Sequence, residues 1–231
     1  MKGFPVYLIL DIFTLFGPLA LSFDKKVAFY KKWNALFPAI TIVGFIFVVW
    51  DVWFTEIGVW SFNDDYLIGL KIFNLPIEEV LFFFVVPYAC IFIYECCKAY
   101  FPNYLSKQTQ NIPFLISLVL CVVLFFAWGK LYTTVTFLST AILLVVLLRL
   151  NIIQQPKYGY FWLAYFIHLI PFFIINGFLT AIPIVIYNNN ENLGIRLTSI
   201  PIEDSIYSLL LLIGNVIIYE KILSKRVKSE N

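Results

Sequence analysis

Two short motifs place acidic side chains at the start of apolar runs. The first is Pro76-Ile77-Glu78-Glu79 and the second is Pro201-Ile202-Glu203-Asp204. Proline at the first helical position followed by acids in the first turn is an ordinary helix start, because the helix macrodipole favours negative charge there. A catalytic interpretation competes with this structural one, since acids within a membrane are costly and are functional by default.

Proton transfer is the chemistry that these acids would support. Asp51 supplies a further carboxyl group within another apolar run. Carboxyl groups crowded together at low dielectric cannot all ionise, so at least one stays neutral beside a charged one. The sequence therefore predicts a general acid and a general base in one pocket.

The sequence leaves open which acid of each motif points into that pocket. Successive helical residues point about 100° apart, so Glu78 and Glu79 cannot both face one spot. The segment from Val80 to Val86 is apolar on every side and does not decide between them. We expect Glu78 and Glu203, the identical pair, to be central, with Glu79 and Asp204 as close partners.

The two motifs belong to a longer internal repeat. An offset of 125 positions (201 − 76) aligns the second motif with the first without a gap. One common offset along three helices predicts a duplicated unit. The other aligned pairs are Tyr7 with Tyr132, Lys32 with Lys157, Asp51 with Asn176, Thr55 with Thr180, and Tyr94-Glu95 with Tyr219-Glu220. The repeat therefore places Asn176 near the acids as a supporting residue.

The composition is that of a membrane protein. Of 231 residues, 61% are hydrophobic and only 13% are charged, and the mean hydropathy is +0.89. Apolar runs of about 20 residues, the length that crosses the hydrocarbon core as a helix, recur along the chain. No soluble domain remains, and the net charge of +2 gives no indication of a nucleic-acid partner. The predicted spans are 4–22, 33–54, 75–96, 112–128, 132–150, 160–183 and 200–222.

Spans and repeat together predict an all-α membrane protein with seven transmembrane helices in a 3+1+3 organisation. Residues 1–100 form the first three-helix repeat, residues 101–130 a linker helix and residues 131–231 the second repeat. Three spans alone would invert the second copy, and the extra span restores its direction. The two repeats are then parallel, and both carboxylate motifs lie at the same depth.

The basic residues predict the orientation of these spans. With seven crossings, 4 of the 16 Lys and Arg residues lie on the amino-terminal face and the other 12 (16 − 4) on the opposite face. The positive-inside rule makes the second face cytoplasmic, with the amino terminus outside and the carboxyl terminus inside. The minority set is Lys2, Lys71, Lys130 and Arg196.

The single histidine and the cysteines give weaker indications of function than the acidic residues do. His168 lies in the sixth span, opposite Val43 in the repeat, and we interpret it as a hydrogen-bonded supporting residue more readily than as a catalytic one. The four cysteines lie in or at the ends of apolar runs without C-x-x-C spacing, which favours packing roles. The sequence has no glycine-rich nucleotide loop and no His/Cys metal set, so it predicts neither a nucleotide cofactor nor a metal.

The chain resembles the small integral-membrane lycopene β-cyclases, which are two half-size subunits in some bacteria, one fused chain in others, and joined to phytoene synthase in fungi. The resemblance implies that Glu78, Glu79 and Glu203 serve catalysis. Asp204 departs from a strict Glu-Glu pair, and we expect its shorter side chain to give the halves unequal roles, one acid and one base. It rests on Leu75-Pro76-Ile77-Glu78-Glu79, on the Phe-rich helix ending Tyr94-Glu95, on Trp50-Asp51, on Asn176-Gly177 and on Pro201-Ile202-Glu203-Asp204.

The resemblance implies a redox-neutral cyclisation of lycopene dissolved in the bilayer. A neutral carboxylic acid protonates the terminal double bond, an internal double bond closes the ring, and a carboxylate removes a proton. The resemblance also implies a multi-pass protein of a bacterial inner membrane, surrounded by lipid and associated with other enzymes of carotenoid biosynthesis. The alternatives are a proton-coupled small-molecule transporter of the 3+1+3 type and a non-catalytic membrane subunit.

Overall fold

The computed structural model describes residues 4–101, 111–150 and 157–230, with side chains as far as Arg226. The predicted membrane faces of Lys2, Lys107 and Lys228 therefore concern side chains outside the described set. Each predicted span coincides with a helix, with ends shifted by a few residues except at the longer carboxyl-terminal helix. The described residues form seven α-helices: α1 (Val6–Leu21), α2 (Trp33–Glu56), α3 (Ile77–Tyr100), α4 (Ile112–Phe126), α5 (Leu131–Leu150), α6 (Lys157–Ala181) and α7 (Ile202–Glu230).

Five of these helices, α2, α3, α5, α6 and α7, are long and apolar enough to cross a membrane. The other two, α1 with 16 residues and α4 with 15, are apolar but shorter than the predicted spans 4–22 and 112–128. A helix needs about 20 residues to cross the hydrocarbon core, and a shorter helix crosses only where the bilayer becomes thinner around it. Length and composition therefore support membrane crossing directly for five helices.

The described residues form six short strands that the sequence patterns do not predict. Three lie between the second and third helices of each half. Strands of two or three residues are too short for an alternating pattern to be recognised. Each half has a small antiparallel hairpin, and one strand from each half pairs with its counterpart. The strands are β1 (Trp60–Phe62), β2 (Lys71–Ile72), β3 (Leu75–Pro76), β4 (Val185–Tyr187), β5 (Arg196–Leu197) and β6 (Ile200–Pro201).

The offset of 125 positions recurs in the backbone hydrogen bonds of these connections. The amide of Ile77 donates to Leu70 at 2.9 Å, and the amide of Ile202 donates to Ile195 at 3.0 Å. β1 pairs with β4 in antiparallel register, Ser61 opposite Ile186, which is again a pair 125 positions apart. The duplication seen in the sequence is therefore a duplication of local structure in these segments.

The two halves interlock through their second and third helices. α2 packs on α7, and its repeat equivalent α6 packs on α3. Within each half, α1 packs on α3 and α5 packs on α7, while α4 packs on α5. Because each third helix contacts the other half, the starts of α3 and α7, where the acidic motifs lie, are drawn to a common region.

A buried ionic cluster joins the opposite ends of α3 and α7. The hydroxyl of Tyr94 donates to Glu220 at 2.8 Å, and the hydroxyl of Tyr219 donates to Glu95 at 3.0 Å. Lys98 bridges the two glutamates at 2.8 and 2.9 Å. Lys32 and Lys157, an aligned pair of the repeat, bind Glu95 and Glu220 respectively. The Tyr-Glu pairs that are aligned in the repeat therefore bind the two halves together.

Candidate active site

The acidic motifs lie at the first turns of α3 and α7, as the sequence predicts. Each helix starts directly after a two-residue strand that ends in proline, and Pro76 is extended, with φ −61° and ψ 146°. All four acids, Glu78, Glu79, Glu203 and Asp204, are buried. An exposed helix start would leave these side chains in water, so the ordinary capping interpretation does not account for their burial.

A small cavity of about 60 Å³ lies between the two helix starts. Its polar lining includes carboxyl groups from three helices, two of them from the acidic motifs. The strands β1 and β4 contribute its aromatic wall. The lining residues are Tyr7, Asp51, Trp60, Phe62, Glu79, Phe82, Val86, Tyr132, Phe172, Asn176, Leu179, Val185, Tyr187, Asp204, Tyr207, Ser208 and Leu211.

Glu79 and Asp204 occupy equivalent positions in the cavity but have different hydrogen bonds. Glu79 accepts one, from the Tyr7 hydroxyl at 2.6 Å. Asp204 accepts three, from Tyr132 at 2.6 Å, Tyr187 at 2.8 Å and the Asn176 amide at 3.1 Å. Hydrogen bonds from donors to a carboxylate favour its ionised form. Asp204 is therefore better prepared than Glu79 to carry a negative charge.

Tyr187 is the donor to Asp204 that comes from a connecting segment. Burial raises the pKa of the Tyr187 phenol well above its ordinary value, and the neighbouring Asp204 raises it further. The hydroxyl therefore keeps its proton and donates a hydrogen bond to the Asp204 carboxylate. Its strand β4 is held by β1 of the other half, so both halves fix this contact.

Asp51 brings a third carboxyl group to the cavity. It is 1% exposed and accepts a hydrogen bond from the indole of Trp60, while its Oδ2 has no hydrogen-bond partner. Among the described residues, no lysine or arginine forms an ion pair with Asp51, Glu79 or Asp204. Buried carboxylates without a cation are costly, so Asp51, Glu79 and Asp204 do not all ionise together.

The structure places Glu78 and Glu203 beside the cavity, not in its lining. Glu78 accepts the backbone amide of Ile68 at 2.7 Å, and Glu203 accepts the equivalent amide of Leu193 at 2.7 Å and the Thr133 hydroxyl at 2.6 Å. This arrangement differs from the expectation that the identical pair is central. The reason is that the loops before each helix fold back over its first turn and take up the first acid.

Of the three supporting residues predicted from the sequence, Asp51 lines the cavity, and the other two have different positions. Asn176 lines the cavity and contacts Asp204, as its alignment with Asp51 suggested. His168 is buried about two turns away on α6, where its Nε2 lies 3.3 Å from the hydroxyl of Ser208. It does not line the carboxylate cavity.

Several groups at the cavity were not singled out from the sequence as site residues. Tyr7 and Tyr132 are aligned in the repeat, and that alignment was the available signal. Trp60 and Tyr187 lie in connecting segments and gave no signal. Asp11, one helical turn after Tyr7, is 3% exposed with an unpartnered Oδ2 but does not line the cavity, and its position within an apolar run gives no signal in the sequence.

An apolar cleft of about 210 Å³ adjoins the cavity. It lies between α1, α3 and α6 and shares four lining residues with the carboxylate cavity. Its lining residues are Phe13, Thr14, Pro18, Phe82, Val86, Ala89, Cys90, Ile93, His168, Pro171, Phe172, Ile174, Ile175 and Asn176.

Comparison with known proteins gives one family and several fungal relatives. The family model described as lycopene cyclase matches residues 5–97 and 129–222, one segment in each half. A bifunctional lycopene cyclase/phytoene synthase of Leptosphaeria maculans is 33% identical over 101 residues, 42% of this chain and 16% of the relative. One of Aspergillus niger is 36% identical over 77 residues, 31% of this chain and 13% of the relative. The matches thus span a small part of these relatives. No solved structure matches the chain.

Proposed function

The chain belongs to the lycopene cyclase family, and we propose that it is the enzyme that cyclises the linear end groups of lycopene to β-ionone rings. The observation that carries this proposal is the set of three buried carboxyl groups, Asp51, Glu79 and Asp204, around one cavity next to an apolar cleft. A redox-neutral cyclisation needs only one proton delivered and one removed. Such a cavity contains groups able to do both.

Unequal hydrogen bonding assigns the roles. Asp204, with three donors, is the carboxylate that accepts a proton. Glu79, with one donor, and Asp51, with an unpartnered oxygen, are the less stabilised carboxylates, so one of these two is the neutral acid. Glu78 and Glu203 are positioning residues, because each fixes the loop over its helix start.

The reaction follows from these roles. The neutral acid donates its proton to the terminal double bond of the end group and leaves a carbocation. An internal double bond of the same chain attacks this cation, which closes the six-membered ring and moves the charge onto the ring. Asp204 removes a ring proton, and the double bond of the product forms. One proton enters and one leaves, so no redox cofactor is consumed.

Aromatic rings around the cavity favour this pathway. Trp60 and Tyr207 line it, with ring centroids 6.2 Å apart. Aromatic faces attract cations through their quadrupoles and offer no lone pair as basic as water. Closure of the outer side by β1 and β4 would keep water from capturing the carbocation as an alcohol.

The proposed membrane arrangement has all seven helices embedded as two parallel three-helix repeats joined by α4. The amino terminus is outside and the carboxyl terminus cytoplasmic, in a bacterial inner membrane. The large exposed apolar side chains on α1 and α4, such as Phe16 at 72% and Phe125 at 81%, support lipid contact for the two short helices as well. The substrate then reaches the cavity from the bilayer.

The direct experiment expresses the chain in a bacterium that accumulates lycopene and separates the carotenoids by chromatography. We expect products of unchanged mass with β-ionone rings, and an Asp51→Asn variant, present in the membrane at the same level, should form about 100-fold less. An absence of cyclised product from the natural sequence would overturn the proposal. The transporter alternative, which the family match does not support, predicts movement of a solute without any change in lycopene.

A further inference from the structure

We infer that the apolar cleft between α1, α3 and α6 holds the polyene chain of the substrate while one of its end groups occupies the carboxylate cavity. This inference rests on the proposed function and extends it to a binding subsite and an access route. The cleft has more than three times the volume of the cavity, about 210 against 60 Å³. A molecule that uses both therefore leaves most of its bulk in the cleft.

The cleft adjoins the carboxylate cavity. Four side chains line both spaces: Phe82 and Val86 of α3, and Phe172 and Asn176 of α6. Asn176 also donates to Asp204, so the boundary between the two spaces lies directly at the proposed base. A chain lying in the cleft can extend to the carboxyl groups without passing through water.

The chemistry of the cleft fits a linear hydrocarbon. Its lining on α3 extends from Phe82 to Ile93, about 16 Å at 1.5 Å per residue. The hydroxyl of Thr14 donates a hydrogen bond to the carbonyl of Leu10 at 2.8 Å. It is therefore satisfied within α1 and requires no polar group from a ligand. His168 lies at the end of the α6 wall farthest from Asn176, and among the described residues no Asp, Glu, Lys or Arg lines the space. An elongated apolar space without charge favours a hydrocarbon chain that has no polar substituents.

The mouth of the cleft faces the side of the bundle, where lipid would lie. Phe13 is 71% exposed and Ile174 is 53% exposed, and they border it from α1 and α6. Two prolines, Pro18 and Pro171, lie within these helices and line the same space. Proline removes a backbone hydrogen bond and crowds the preceding turn, which hinders close packing of the two helices.

Aromatic rings occupy the equivalent region in the other half. The repeat equivalents of Phe172, Ile175 and Phe82 are Phe47, Trp50 and Tyr207, whose ring centroids lie 5.1 to 5.7 Å from one another. The substrate chain thus has a subsite on one side of the cavity. A symmetric linear substrate must present one end, leave, and turn round before its second end reacts.

Narrowing the cleft tests the inference. Ala89 is buried in the cleft wall and Thr14 is half-buried near its mouth. Ala89→Trp and Thr14→Trp should each lower lycopene conversion at least tenfold at equal protein level in the membrane. Ile12→Trp, two residues from Thr14 on the same helix and 58% exposed, is the matched control and should stay within twofold. Thr14→Trp serves where Ala89→Trp fails to accumulate, since it adds bulk near the surface.

Binding measured without turnover separates this inference from the proposed function. A polyene held in a protein acquires a visible circular dichroism signal, so lycopene is added to purified Glu79→Gln protein. Thr14→Trp in that background should abolish the signal, and Ile12→Trp should keep it. Unchanged binding and conversion in both cleft variants would overturn the inference while leaving the proposed function intact. If the natural sequence binds lycopene through the cleft but forms no ring, the proposed function fails and the cleft assignment stands.

Discussion

The two halves of the molecule share a framework but not a site. Equivalent backbone amides bind the first acid of each motif, and equivalent tyrosines bind the second, with hydroxyl to carboxylate distances of 2.6 Å in both halves. The differences lie in what surrounds those acids. Asp51 of the first half corresponds to Asn176 of the second half. Glu79 accepts one hydrogen bond, and Asp204 accepts three. The two copies thus share a scaffold, and their differences underlie the proposed division into an acid and a base.

The division of roles between the second acids gives the largest expected effect. Glu79→Gln removes the acid and Asp204→Asn removes the base, and each should lower cyclisation at least about 100-fold. The measurement is product formed per membrane-embedded protein in lycopene-producing cells. If the halves were interchangeable, one variant would retain about half of the activity, because the other half would still work.

The tyrosine donors should show a smaller and unequal effect. Tyr7→Phe removes the one hydrogen bond that Glu79 accepts among the described residues, a bond that would stabilise the carboxylate formed as Glu79 gives up its proton. A hydrogen bond to a charged group contributes about 1.5–3 kcal/mol, so activity should fall about 10- to 100-fold. Tyr132→Phe leaves Asp204 with Tyr187 and Asn176 and should lower activity only about threefold to tenfold. Rates of conversion by the two variants, measured side by side, check this order. Equal losses would contradict the asymmetry of the two carboxyl groups.

The first acids should behave alike in both halves. Glu78→Gln and Glu203→Gln keep an oxygen that accepts the backbone amide, so conversion should fall by less than about fivefold. Glu78→Ala and Glu203→Ala leave a buried amide unpaired, which costs about 1–3 kcal/mol and should destabilise the loop. Thermal unfolding of the purified proteins distinguishes the two substitutions. A loss of about 100-fold in the Gln variants at normal stability would return these residues to the reacting centre.

The ionic cluster at the far ends of α3 and α7 should affect activity least. Tyr94→Phe and Tyr219→Phe each remove a hydrogen bond to a glutamate of the other half, so both should lower the free energy of unfolding by about 1–3 kcal/mol. Activity per folded molecule should stay within about twofold, because the cluster lies at the opposite helix ends from the cavity. A strong loss of turnover with unchanged thermal stability would show that this cluster takes part in the reaction.

Much of the fold could be predicted from residues alone. Hydropathy locates the helices to within a few residues at most ends, because a run of apolar side chains must form its backbone hydrogen bonds internally. The six strands could not be predicted, because strands of two or three residues depend on pairing between distant segments. Their pairing is nevertheless specific, since β1 of one half is held by β4 of the other.

The candidate site, like the fold, could be predicted only in part from the sequence. The repeated acidic motifs, the correspondence of Asp51 with Asn176 and that of Tyr7 with Tyr132 can all be read from one offset in the sequence. Tertiary contacts place Glu79 and Asp204 in the cavity lining, whereas Glu78 and Glu203 accept backbone amides of the preceding loops. The helix after Glu79 is apolar on every side, so no periodicity could orient it. In the folded chain Glu79 accepts its hydrogen bond from Tyr7, 72 residues earlier, and contacts over such a separation leave no pattern near Glu79 in the sequence.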